Sequence, residues 1–151
     1  MKKETVAIIG SRDIPSSAYS VIENLVLACK RAGRKIITGG ARGVDMAVLK
    51  SVIKLGYCEG LKVYLPLQIS ETSLANRHFL KKCEEQGGEI VEGKNKGTSR
   101  QAVLAGIFGR NRKIAEEADV IYAFHNGISK GTEYMCKYGE KLGKNIIKKG
   151  V

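Results

Sequence analysis

The chain of 151 residues contains no tryptophan, two prolines (Pro15 and Pro66) and two histidines. Its four cysteines, Cys29, Cys58, Cys83 and Cys136, are widely separated and form no C-x-x-C pair. That spacing argues against a zinc site and against the disulfide framework of small secreted domains. Cys29 and Cys83 fall on helical patterns, where a thiol serves as a small apolar residue. No apolar run approaches the roughly 20 residues that cross a bilayer. The opening Met1-Lys2-Lys3-Glu4 leads into a short apolar strand followed by glycine and charge, unlike the core of a signal peptide. These absences lead us to expect a cytoplasmic protein with no membrane partner and no metal or cofactor. Acidic residues are also scarce, 15 against 26 lysines and arginines, which leaves a formal charge of +11. Such an excess favours polyanionic partners. Several of the lysines (Lys2, Lys3, Lys144, Lys148, Lys149) sit near the ends, where they also serve solubility.

Glycine, by contrast, is plentiful at 18 residues, and many sit where apolar runs stop. The most telling run is Ile36-Ile37-Thr38-Gly39-Gly40-Ala41-Arg42-Gly43-Val44-Asp45. It reads as a buried strand, a tight turn and the start of a helix. Free N–H groups at such a turn, at the positive end of a helix dipole, suit an anion, phosphate above all. Arg42 could add a bidentate contact. A plain strand–helix turn with Arg42 in solvent is the simpler alternative.

The same grammar recurs along the chain. We expect strands at 5–9, 61–65, 89–92, 120–124 and 145–148, besides the one that ends at Gly39. Helices are expected at 17–32, 44–55, 74–86, 99–117 and 132–142, with Gly106 or Gly109 as the place for a kink in the fourth. Gly93–Thr98 is the most loop-like stretch. Strands that are apolar throughout, alternating with helices, specify an α/β fold, a Rossmann-like three-layer sandwich with a mainly parallel sheet. At this length, one domain over 1–151 is expected. Ligands in such sheets bind beyond the carboxyl ends of the strands, where strand order reverses.

Four segments converge on that edge. They are Gly10-Ser11-Arg12; Gly39-Gly40-Ala41-Arg42-Gly43; Arg110-Asn111-Arg112-Lys113; and Gly127-Ile128-Ser129-Lys130-Gly131-Thr132. They supply amides, hydroxyls and guanidinium groups for a phosphate site. Asp45, His125 and Glu133 are further candidates. Each also has a bland reading: first-turn carboxylates for Asp45 and Glu133, and a hydrogen-bonded structural histidine for His125. His78 reads as a surface residue. No nucleophile pairs with either histidine, so no catalytic residue is assigned.

The run from Val6 to Arg12, the Thr38–Asp45 loop, Arg110–Ala115 and Gly127–Thr132 resemble the SLOG superfamily of Rossmann-like domains over nearly the whole chain. Gly87–Glu92 followed by Arg110-Asn111-Arg112 is most similar to the DprA (Smf) DNA-processing branch. The run Asn126–Thr132 is closer to short relatives. The DprA likeness implies single-stranded DNA binding without chemistry. The more distant Lonely Guy phosphoribohydrolases imply cleavage of nucleoside monophosphates, or a pocket for a nucleotide-derived molecule. Their catalytic glutamate position is Met135 here, and Glu133 lies two residues away, about 200° around a helix. Related domains often dimerise, and the helix at 99–117 is the expected contact. Aromatic residues that could stack on bases are few, with Tyr19, Phe79 and Phe108 nearest to loops or helix ends.

Overall fold

The structure, a computed structural model, describes residues 4–93 and 99–151. The 94–98 part of the expected Gly93–Thr98 loop lies outside the described residues. Six strands, β1 (Thr5–Gly10), β2 (Lys35–Gly39), β3 (Leu61–Tyr64), β4 (Glu89–Val91), β5 (Val120–His125) and β6 (Asn145–Gly150), form one sheet. Every neighbouring pair is parallel, in the order β4-β3-β2-β1-β5-β6. Five helices connect them: α1 (Ser17–Ala32), α2 (Val44–Leu55), α3 (Leu74–Glu85), α4 (Arg100–Glu117) and α5 (Lys130–Lys141). The α/β fold expected from the sequence is thus the one observed.

The alternation of side chains along each strand sorts the core into two layers. On one face Val6, Ile8, Ile36 and Phe124 pack against α1, α2 and α3, through Ile22, Val26, Val48, Val52 and Leu80. On the other, Ala7, Ile9, Ile37, Ile121 and Ala123 meet Ile114 and Ala115 of α4 and Met135 and Cys136 of α5. Cys29 and Cys83 are both buried in the first layer, as small apolar residues. Both faces of the sheet are covered, which is why its strands are apolar on both sides.

Element boundaries moved little. β1 and β6 extend to Gly10 and Gly150, and α5 starts two residues earlier than expected, at Lys130. The Ser129 side chain accepts the N–H of Thr132 and caps α5, so the helix begins directly after the serine. α4 runs unbroken through Gly106 and Gly109. Gly106 is there for close approach: a Cβ would lie 2.2 Å from the Pro66 carbonyl oxygen. No described helix is long and apolar enough to cross a membrane.

The order places β1 between β2 and β5. The chain leaves β1 through α1 to one side and enters β5 from α4, which covers the other face. Strand order therefore reverses at the carboxyl ends of β1 and β5, and a crevice opens there.

Candidate phosphate site at the switch point

A cavity of about 350 Å³ occupies this crevice. Its floor is Ile9, Gly10 and Gly39, at the ends of β1 and β2. One wall is α4, through Ile107, Arg110, Asn111 and Ile114. Those positions follow i, i+3, i+4, i+7, a single helical stripe. The opposite wall is the start of α5, through Ser129, Gly131, Thr132 and Met135. Arg12, Asp13, Ala41, Asn126 and Ile128 complete the rim. Ser129 caps the Thr132 N–H and Asn126 takes those of Ile128 and Ser129, so α5 offers an anion the N–H groups of Lys130 and Gly131 and the positive end of its dipole.

The buried centre of the site is charged. Asp45 is 5% exposed. Its carboxylate accepts the Ala41 N–H at 3.2 Å and lies 3.1 Å from the Thr38 hydroxyl, which itself donates to the Ile8 carbonyl at 2.7 Å. Burial pushes the Asp45 carboxyl above the ordinary range, opposed by Arg110, by these hydrogen bonds and by Arg12. Arg110 shows the reverse: burial pulls its guanidinium down, while Asp45 supports the charge. Gly39 makes the arrangement fit. A Cβ there would sit 2.7 Å from Asp45 Oδ2 and 3.0 Å from Arg110 Nη1. Arg110 Nε also donates to the Asn111 side chain at 3.2 Å, which fixes the fork toward the cavity.

Of the residues expected from sequence, Gly10, Arg12, Gly39, Asp45, Arg110, Asn111, Ser129, Gly131 and Thr132 share this cavity. The others take different places. Ser11 is buried and its hydroxyl accepts the Asn126 N–H at 3.0 Å. Gly40 packs against Leu65, and Gly43, at φ +81°, lies against the Ser11 and Arg12 backbone. Arg42 is exposed and pairs with Asp13 at 3.3 Å. Such surface pairs contribute little. Arg112 is exposed on another face of α4, and Lys130 is exposed at the start of α5. Gly127 adopts φ +92°, a turn that glycine allows without strain. His125 Nδ1 accepts the Gly127 N–H at 2.8 Å, and its Nε2 meets Glu133 at 3.2 Å. Glu133 also lies 3.8 Å from Lys148. His125 and Glu133 thus hold each other outside the cavity lining. Met135 lines the cavity instead, so no carboxylate stands at that position.

The turn after β2 is more self-contained than its glycines suggest. The Ala41 N–H is taken by Asp45 and the Val44 N–H by the Ser11 carbonyl. The anion-attracting groups come chiefly from Arg12, Arg110 and the start of α5. The residue that sequence reasoning missed is Asn126. Its Oδ1 accepts the N–H groups of Ile128 (3.0 Å) and Ser129 (3.1 Å), and its Nδ2 donates to the Asp13 carbonyl at 3.1 Å. It ties the loop after β1 to the loop before α5. Its position next to Gly127 in a strand-end turn is the signal that marks it, since asparagine side chains bond backbone two residues on.

A family model for DNA recombination-mediator protein A matches residues 1–148. No curated protein matches the chain. Among solved structures, it is similar to DNA processing protein A from Helicobacter pylori, studied for its single-stranded DNA binding mode. The two share 21% identity and a TM-score of 0.73, over 96% of this chain and 64% of that one. DNA processing protein A from Streptococcus pneumoniae gives 18% identity and a TM-score of 0.74, over 97% and 50%. The molybdenum cofactor carrier protein of Chlamydomonas reinhardtii gives 16% and 0.65, over 97% and 76%. The chain thus spans less than two thirds of both DNA processing proteins, and at these identities the likeness is one of fold. With the family model matched along nearly its whole length, the chain belongs to the DNA recombination-mediator protein A family.

Proposed function

We propose that residues 1–151 act as one Rossmann-like unit that binds nucleic acid, as single-stranded DNA, through its phosphate groups and without chemistry of its own. One observation carries this reading: Arg110, half-buried and fixed by Asn111, shares the switch-point cavity with the start of α5 and with Arg12. A guanidinium whose charge is already desolvated binds a phosphate more strongly than one in water. The charge of +11 supplies the long-range attraction that brings a polyanion to the site. The family match and the single-stranded DNA binding of the Helicobacter pylori relative support the same partner. No carboxylate replaces Met135, and Glu133 is engaged by His125, which leaves the cavity without a hydrolase's acid at that position.

The test is fluorescence anisotropy with a labelled oligo-dT across a salt series. Phosphate-dominated binding gives log K falling linearly with log salt, with a slope of about 0.7 per phosphate contact on a single strand. Arg110→Ala is expected to weaken binding about tenfold or more, the value of a charge-assisted hydrogen bond, and to flatten the slope by about one contact. Salt-independent or absent binding, with a nucleoside monophosphate raising the melting temperature instead, would overturn the reading in favour of a nucleotide-derived ligand.

A further inference from the structure

On the outer side of the same two helices lies a row of aromatic rings. Phe108 of α4 is 46% exposed. It meets Tyr134 of α5 edge-on, with centroids 5.2 Å apart and planes at 74°. Tyr134 in turn lies parallel to Tyr138, at 6.1 Å and 2°. Arg112, one turn after Phe108, is exposed, and Tyr134 beside it supports its charge. Ala105, Phe108, Gly109, Arg112 and Tyr134 line an open groove between the helices. Nothing lies within 4 Å of where a Gly109 Cβ would be, so the groove is unobstructed beside the Phe108 ring. Neither Phe108 nor Tyr134 belongs to either core layer. Phe108 is the exposed ring of the row, whereas Tyr134 and Tyr138 are half-buried and Tyr138 packs against the second core layer.

We propose that Phe108, Tyr134 and Tyr138, with Arg112 beside them, form a base-stacking platform for a single strand whose phosphates lie in the switch-point cavity. The proposal rests on the nucleic-acid reading above and adds the part of the ligand that phosphate contacts leave unread. Continuity carries it. Ile107, Arg110 and Asn111 of α4 line the cavity, while Phe108 and Arg112 turn to the groove. On α5, Thr132 and Met135 line the cavity while Tyr134 lines the groove. Phe108 stands about 200° from Arg110 on α4, so a strand held at Arg110 reaches the rings by passing around the helix, which is about 10–12 Å across with its side chains. Every base has a π-face, so stacking suits a strand of any sequence. Charge argues against a second copy of the chain as the occupant. A twofold contact here would bring two Arg112 side chains and two bodies of charge +11 together. The neighbouring carboxylate, Glu116, is already engaged by the Tyr138 hydroxyl at 3.0 Å.

The experiment compares labelled oligo-dT with a labelled abasic oligonucleotide of the same length, for the wild type and for Phe108→Ala, Phe108→Tyr and Tyr134→Ala. Stacking contributes about tenfold per base, so the wild type is expected to prefer oligo-dT by about that factor. Phe108→Ala and Tyr134→Ala lower the ratio toward one, and Phe108→Tyr, which keeps the ring, retains it. Equal affinities in the wild type, or a preference that survives both alanine variants, would overturn the platform while leaving the phosphate reading standing. If the wild type binds neither oligonucleotide, the nucleic-acid reading fails and the platform with it. If light scattering shows a dimer that Phe108→Ala converts to a monomer, the groove is a subunit interface and the proposal is wrong.

Discussion

Asp45 is the residue whose environment conflicts most with its charge. It is a carboxylate with 5% exposure, set beside a half-buried guanidinium. Burial, the largest influence, raises its pKa above the ordinary value of 3.8. An acid whose folded pKa is raised is favoured by folding in its protonated form. Its contribution is therefore intact below pH 4 and is lost as pH rises through the folded pKa. Asp45→Asn removes that dependence. The asparagine can still accept the Ala41 N–H, and its amide can donate to Thr38, whose own proton goes to Ile8. Denaturant titrations of both proteins at pH 4 and pH 7 check this: the variant's stability relative to wild type is expected to be higher at pH 7 than at pH 4. An unchanged difference between the two pH values would show that Asp45 carries no such penalty. Glu117 runs the opposite way. Its carboxylate accepts from Tyr64 and Lys62, which outweigh its burial and hold its pKa low.

At the scale of elements, the site is made by two loops and two helices, and Asn126 joins the loops. Its side chain makes hydrogen bonds to Ile128, Ser129 and Asp13. Asn126→Ala is expected to cost about 1–2 kcal/mol of stability, since the freed groups are partly open to water, and to weaken oligonucleotide binding by a larger factor than that stability loss implies. Thermal melts and anisotropy on the same preparation measure both. A variant that loses stability but keeps its affinity would show that the loop needs no such tie. The strands and helices were legible in the sequence because most apolar runs stop at glycine, proline or charge. The division of labour on α4 was less so. Arg110 and Arg112 look equivalent in a run of basic residues, yet they stand about 200° apart on a helix. Only Arg110 reaches the cavity; Arg112 faces the groove. Asn126 stands in the sequence as the first residue of the run Asn126–Thr132 with no site role, because a loop asparagine has no periodic pattern and its partners at Asp13 and Ser11 lie more than a hundred residues away. The glycines of 39–43 gave the right place with a different emphasis. Gly39 makes room for Asp45 and Arg110, while the Ala41 and Val44 amides of that turn serve the fold itself.

At the scale of the whole molecule, the positive charge has two uses. Part of it lies at the cavity, in Arg12 and Arg110. Part lies on β6, the edge strand, where Lys148 and Lys149 are exposed. Lysines on an edge discourage pairing with another chain's strand, so net charge alone does not locate a ligand. That ambiguity defines the decisive measurement. Amide chemical shifts of the ¹⁵N-labelled protein are followed as oligo-dT is added at moderate salt. The expected result is that the largest changes fall at Gly10, Arg12, Gly39, Gly131 and Thr132 and at the side-chain Nε–H of Arg110. Changes confined to the lysines of β6 and the end of α5, with the switch-point amides unmoved, would contradict the account.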